Sequence, residues 1–159
     1  MSTKTKKEHY VNNKEFLEAM IKYRKSVRKA KREKRTKPPV GDYLGSCFLK
    51  IANHLSYRPN FINYTFKDDM ISDGIENCLQ YLDNFDGKKS NNPFAYYTAT
   101  VNNSFTRVLN LEKRNQTIRD DILIEQGHLP SYGRQIQHEE ELRELRANAE
   151  NEVETPSGE

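Results

Sequence analysis

Between Asp68 and Arg114 the chain reads DDMISDGIENCLQYLDNFDGKKSNNPFAYYTATVNNSFTRVLNLEKR, and two sets of side chains in it could do chemistry. The first is acidic. Asp69, Asp73, Glu76, Gln80 and Asp83 recur at three- and four-residue intervals, which places them on a narrow arc of one helix. The second is amide-rich, aromatic and basic. Arg107, Lys113 and Arg114 can neutralise phosphates. Asn102 and Asn103 carry donor and acceptor together, as reading a base edge requires. Tyr96 and Tyr97 offer flat faces to an unstacked base, worth roughly 1–3 kcal/mol each when used. Asn110 falls on the same polar side as Tyr96, Asn103, Arg107 and Arg114. Each set has a plainer reading, a solvated acidic face and an ordinary polar helix, and Tyr97 also fits a buried stripe. Their adjacency argues for more. A protein that only bound DNA would gain nothing from an acidic stripe beside its basic face, whereas one bridging DNA and a basic partner helix would use both.

Catalysis is not expected. His9, His54, His128 and His138 are scattered, with no second ligand at metal spacing. The chain contains no phosphate-cradling glycine-rich loop and no GxSxG. Carboxylates on an open helix are solvated charge rather than an acid/base couple in a pocket. No catalytic residue, metal site or cofactor is therefore assigned.

The elements that must position these residues are helices. Asn12 and Glu15 have capping-box spacing, followed by an apolar stripe of Phe16, Met20, Tyr23 and Val27. A basic run continues to Lys37 and stops at Pro38-Pro39. Leu44, Cys47, Phe48, Ile51 and Leu55 define a second helix over about 42–55. Residues 56–66 read as a loop with aromatic plugs. A third helix is predicted over 68–84, capped by Asp68, with Ile71, Ile75, Cys78, Leu79 and Leu82 on its apolar side and Gly74 marking close approach of another backbone. Asn92-Pro93 starts a fourth helix, running to about Arg114 with Phe94, Tyr97, Val101, Phe105 and Val108 buried. Beyond Gln116 the pattern weakens to a short docked helix around Ile118, Ile122 and Leu123, a break over 127–133 and a polar helix over 135–149.

The fold class is thus all-α, a small helical domain. Three segments are expected: 1–40, an N-terminal helix and basic run; 41–116, the helical core; and 117–159, a partly helical or flexible C-terminal segment. At 159 residues with 35% hydrophobic and 31% charged side chains, only a modest core is expected and a large enclosed active site is not. Formal net charge is +3, but Lys22–Lys37 holds ten basic residues against Glu33, and residues 139–159 hold eight Glu against Arg143 and Arg146. Such blocks mark solvated or partner-seeking segments. No run approaches a membrane span, the N-terminus lacks a signal-like apolar region, and Cys47 and Cys78 read as reduced core thiols.

The segment DMISDGIENCLQYLDNFD followed by PFAYYTATVNNSFTRVL resembles region 2 of bacterial sigma factors, an acidic amphipathic helix ending in a D-x-F-D turn before a promoter-reading helix. More narrowly, YVNNKEFLEAMIKYR, MISDGIE, NFD and NPFAYYT, in that order, resemble the late-transcription sigma factors of T4-type bacteriophages. The resemblance covers roughly residues 10–115. It implies a sigma factor that binds host core RNA polymerase and directs it to phage late promoters by recognising and melting a TATA-rich −10 element, in the nucleoid-associated cytoplasm of an infected bacterium. By position, Asp69, Ser72, Asp73, Glu76, Leu79 and Gln80 would face the coiled coil of the polymerase β′ subunit. Asn103 and Thr106 would read the upstream edge of the −10 element on the non-template strand, and Tyr96 would assist melting. Ala99 and Thr100 replace the Trp pair of primary sigma factors. The tail NEVETPSGE, with Val153 its single aliphatic residue, departs from the family's apolar and acidic motif for the DNA sliding clamp. Clamp docking is therefore not expected, and a different phage co-activator arrangement, or none, stays open. Two alternatives remain: a stand-alone helical DNA-binding regulator, and a polymerase-binding inhibitor or adaptor.

Overall fold

A computed structural model describes residues 9–153, with side chains to residue 150. The chain is all-α, with no strand among the described residues. Its helices are α1 (Asn13–Arg32), α2 (Asp42–Ser56), α3 (Lys67–Gln80), α4 (Pro93–Glu125) and α5 (Tyr132–Val153), with a 3-10 turn at Leu82–Asn84. They divide between two units, Met1–Leu109 and Asn110–Glu159, and α4 supplies residues to both. The boundary expected at 40/41 falls inside the first unit, because α1 belongs to its core. The boundary expected at 116/117 lies at 109/110.

In the first unit, α1 starts where Asn12 accepts from the backbone N–H groups of Lys14 and Glu15. Its stripe Phe16, Met20 and Tyr23 is buried, while Val27 is only half-buried. Phe16 packs against Phe48 of α2 and Tyr97 of α4, with ring centroids 5.9 and 5.6 Å apart. From α2, Leu44, Cys47, Phe48, Ile51 and Leu55 are all buried, as their spacing requires. Phe61 plugs the following loop and meets Phe105 edge-on at 5.2 Å. Arg24 ties α1 to the turn before α4, donating to the Phe85 carbonyl and the Asp86 carboxylate. That carboxyl is held below its ordinary range, chiefly by the Lys88 backbone N–H and then by nearby cations including Arg24.

The start of α4 leaves no orphan donor in its first turn. Pro93 has no N–H. The Phe94 N–H reaches the side chain of Asn13 at 3.1 Å, the Ala95 N–H reaches the side chain of Asn92 at 3.0 Å, and the Tyr96 N–H reaches the Asn92 carbonyl. Downstream, Tyr97, Val101, Phe105 and Leu109 are buried at successive four-residue steps, with Phe94 and Val108 half-buried at the margin.

α3 is rotated relative to its sequence pattern. Met70, Gly74 and Cys78 face the core, Ile71 and Ile75 are half-buried, and Leu79 is 39% exposed. Phe66 occupies the N-cap position with no side-chain cap, so Asp68 lies within the first turn instead of capping it. Gly74 does mark a close approach, but of side chains rather than backbone. A Cβ there would stand 3.0 Å from Phe105 and 3.1 Å from Val101.

The second unit is a helical hairpin. Ile118, Ile122 and Leu123, expected in a separate short helix, are continuous with α4. The helix then closes with the His128 N–H on the Leu123 carbonyl and Gly127 at φ +77. Both oxygens of the buried Asp120 carboxylate are used across the turn, one by the Ser131 backbone N–H and the other by its hydroxyl. Those bonds, the backbone one first, hold the Asp120 pKa below its ordinary value. Residues 1–8 and 154–159, which include the basic lead and most of the tail weighed for clamp docking, lie outside the described residues.

Gly74→Ala would gain about 1 kcal/mol of helix propensity and lose about 1–3 kcal/mol by overpacking two fully buried side chains. Net destabilisation is expected, read as a lower urea midpoint at unchanged slope. An unchanged or raised midpoint would mean that Phe105 and Val101 yield freely.

Candidate functional site

Because Met70, Gly74 and Cys78 turn inward, Asp69, Ser72, Glu76, Leu79 and Gln80 turn outward and are exposed. This is the surface the acidic arc was expected to form, less two members. Asp83 is engaged by Lys37 at 2.7 Å, and that hydrogen bond raises the Lys37 pKa. Asp73 is only half-exposed and points toward α4.

On the first-unit part of α4, Asn103, Thr106 and Arg107 are exposed, while Tyr96 and Asn102 are half-buried. Thr106 donates to the Asn102 carbonyl at 2.9 Å. Tyr96 is oriented by edge contacts with Phe85 at 5.4 Å and Tyr97 at 5.0 Å. Tyr97 leaves the DNA-facing set, since it is 0% exposed with its ring among Phe16, Phe48 and Phe85. Burial drives its hydroxyl pKa upward, as burial pushes the Cys78 thiol to about 12. Its four-residue spacing from Val101 and Phe105 decided its place. Asn110, Lys113 and Arg114 are exposed and belong to the second unit.

The acidic and basic sets were expected on separate faces, and in the first unit one residue from each meets instead. The Asp73 carboxylate accepts from Arg107 at 2.5 Å, from the Ser104 hydroxyl and from Asn77 at 3.1 Å. Asn77 also donates to Ser104. Ser104 is 4% exposed, so its hydroxyl needs these partners. Asp73 is thus a positioning residue that fixes α4 against α3 and aims Arg107. Arg107 keeps 64% of its side chain exposed and stays within reach of an anion.

Beside this network lies an open cleft of about 320 Å³ lined by Asn77, Tyr81, Thr100, Asn103, Ser104 and Arg107. It puts an exposed aromatic face, two amides and a guanidinium around one space. Asn77 and Tyr81 were missed from sequence. Their signal was the four-residue spacing Asp73, Asn77, Tyr81, which puts all three on one ridge of the helix and its exit.

No group of three His, Cys, Asp or Glu side chains among the described residues is placed to hold a metal ion. No helix among them is long and apolar enough to cross a membrane. Neither a protein-family model nor a curated protein matches the chain.

Asp73→Ala is expected to cost about 1–3 kcal/mol, because it removes the acceptor of the buried Ser104 O–H and leaves that oxygen only the Asn77 amide as partner. Arg107→Ala should cost under about 1 kcal/mol, as for an exposed ion pair. Urea unfolding of both single variants and the double variant measures this. Equal small losses would remove Asp73 from its positioning role.

Proposed function

We propose that this chain is a sigma-type initiation factor, which binds core RNA polymerase through the outward face of α3 and holds the unpaired non-template strand of a −10 element against α4. One observation carries it: neighbouring helices of one packed unit present surfaces of opposite character. α3 offers Asp69 and Glu76 with Ser72, Leu79 and Gln80 between them, suited to a basic partner helix such as the β′ coiled coil. α4 offers Asn103, Thr106 and Arg107 with Tyr96 at the margin, suited to nucleic acid. The order of these residues along the chain supports the same reading through its resemblance to sigma region 2.

In this account Asn103 and Thr106 read base edges, Tyr96 stacks on an extruded base and Arg107 holds a phosphate while Asp73 aims it. Asn110, Lys113 and Arg114 remain candidates for phosphate contact from the second unit. Ala99 and Thr100, small where primary sigma factors carry a Trp wedge, fit an easily melted TATA-rich element of phage late promoters. The polymerase performs the chemistry, and the chain acts in the nucleoid-associated cytoplasm of the infected host.

Transcription from a supercoiled template with core polymerase tests this. Transcripts should require the chain. Asn103→Ala with Thr106→Ala should leave co-purification with polymerase intact and reduce initiation by about tenfold or more, the effect of losing roughly 1–3 kcal/mol of base contact. Asp69→Lys with Glu76→Lys should abolish co-purification; Asp73 is unsuitable as a probe because it also holds α4. Tight sequence-specific duplex binding without polymerase would establish a stand-alone regulator instead, and suppression of initiation would establish an inhibitor or adaptor.

A further inference from the structure

The basic run of α1 and its exit is used by neither surface above. Of its ten cations, three are tied down by short ion pairs: Arg24 with Asp86, Arg35 with Glu33 and Lys37 with Asp83. Lys25, Arg28, Lys29 and Arg32 are exposed, and no ion pair engages them among the described residues. Their spacing, i, i+3, i+4, i+7, sets them in one stripe. With 3.6 residues per turn, that stripe lies on the side of α1 opposite Phe16, Met20 and Tyr23. It is an amphipathic pattern written in charge.

Lys34 extends the positive surface just past the helix end in an unusual backbone state. Its φ is 52, the left-handed region that glycine commonly fills at a helix C-terminus. The Arg35 N–H closes the end on the Ala30 carbonyl at 2.8 Å. A lysine there adds a cation beside the negative pole of the helix, at a conformational cost glycine would avoid. The segment then returns to the core through Lys37 on Asp83 and the Tyr23 hydroxyl on the Pro38 carbonyl. The stripe is therefore held at both ends.

We infer that this stripe binds the phosphate backbone of duplex DNA without regard to sequence, beyond the strand contacts proposed for α4 and independently of polymerase. Duplex is favoured over an unpaired strand because residues 24–37 contain no aromatic side chain on which a base could stack. Nucleic acid is favoured over an anionic membrane because the stripe has no apolar residues to insert. Val27 and Ala30 are half-buried on the core side. From Lys25 to Arg32 the stripe spans about 10 Å, enough for three or four phosphates.

The test is fluorescence anisotropy of the full chain with a duplex that lacks a −10 element, across a salt series. Wild type should bind with micromolar affinity that falls steeply with salt, and equally to an unrelated duplex. Changing Lys25, Arg28, Lys29 and Arg32 together to Ala should make the log–log salt slope shallower by about 3–4. Circular dichroism should be unchanged, because all four side chains are exposed. Lys34→Gly, which relieves the left-handed residue and cannot fail through strain, should reduce the slope by about one. Unchanged slope and affinity in the quadruple variant would overturn the inference. So would tighter binding to anionic phospholipid vesicles than to duplex. Neither outcome touches the α4 assignment, whose readout is initiation with polymerase.

Discussion

The structure turns on how closely α3 and α4 can pack. Gly74 has no side chain to hold them apart, and Phe105 and Val101 occupy the space a methyl would need. At that contact the Asp73 carboxylate gathers Arg107, Ser104 and Asn77. The apolar contact sets the distance and the polar network sets the register. Together they fix the rotation of α3, and with it which of its side chains meet solvent. Were α3 turned by one residue so that Ile71 and Ile75 packed inward, Gly74 would take the place of Asp73 and the bonds to Ser104 and Arg107 would be lost.

Charge is sorted by the same packing. Carboxylates near the α3–α4 contact and in the 3-10 turn after α3 are neutralised internally, Asp73 by Arg107 and Asp83 by Lys37. Asp69 and Glu76 carry no ion pair among the described residues, so the outward acidic surface is narrower than an arc drawn from sequence and is mixed with Leu79 and Gln80. Such a mixture suits protein docking, where apolar area supplies affinity and a few charges set orientation. The cations divide likewise: Arg24, Lys37 and Arg107 pair with carboxylates of the first unit, while the stripe on α1 faces solvent.

Much of this was legible in the sequence. The caps at Asn12 and Asn92 and the four-residue stripes of α1, α2 and α4 follow from local chemistry, and local chemistry dominates where a helix has one strongly apolar face. α3 was misread because its inward stripe is Met70, Gly74 and Cys78. A glycine adds nothing to an apolar pattern, so Ile71 and Ile75 drew the face one residue off. The fit at Gly74 depends on Phe105, 31 positions away, and no periodicity carries that. The pairing of Asp73 with Arg107 was hidden for the same reason: each looked like a solvent residue on its own helix. The continuity of α4 through Ile118 and Ile122 was missed because the second unit's turn is held by Asp120 across to Ser131 rather than by a strong apolar stripe.

Under the proposed function, the outward faces of α3 and α4 meet different molecules. A photo-crosslinking side chain placed at Glu76 in one variant and at Asn103 in another, each assembled with core polymerase and a promoter opened over its −10 element, separates the two most directly. The Glu76 position should capture polymerase protein and no DNA, and the Asn103 position should capture the non-template strand. Capture of the same molecule from both positions would mean that the two faces share one partner and that the proposed division between them is wrong.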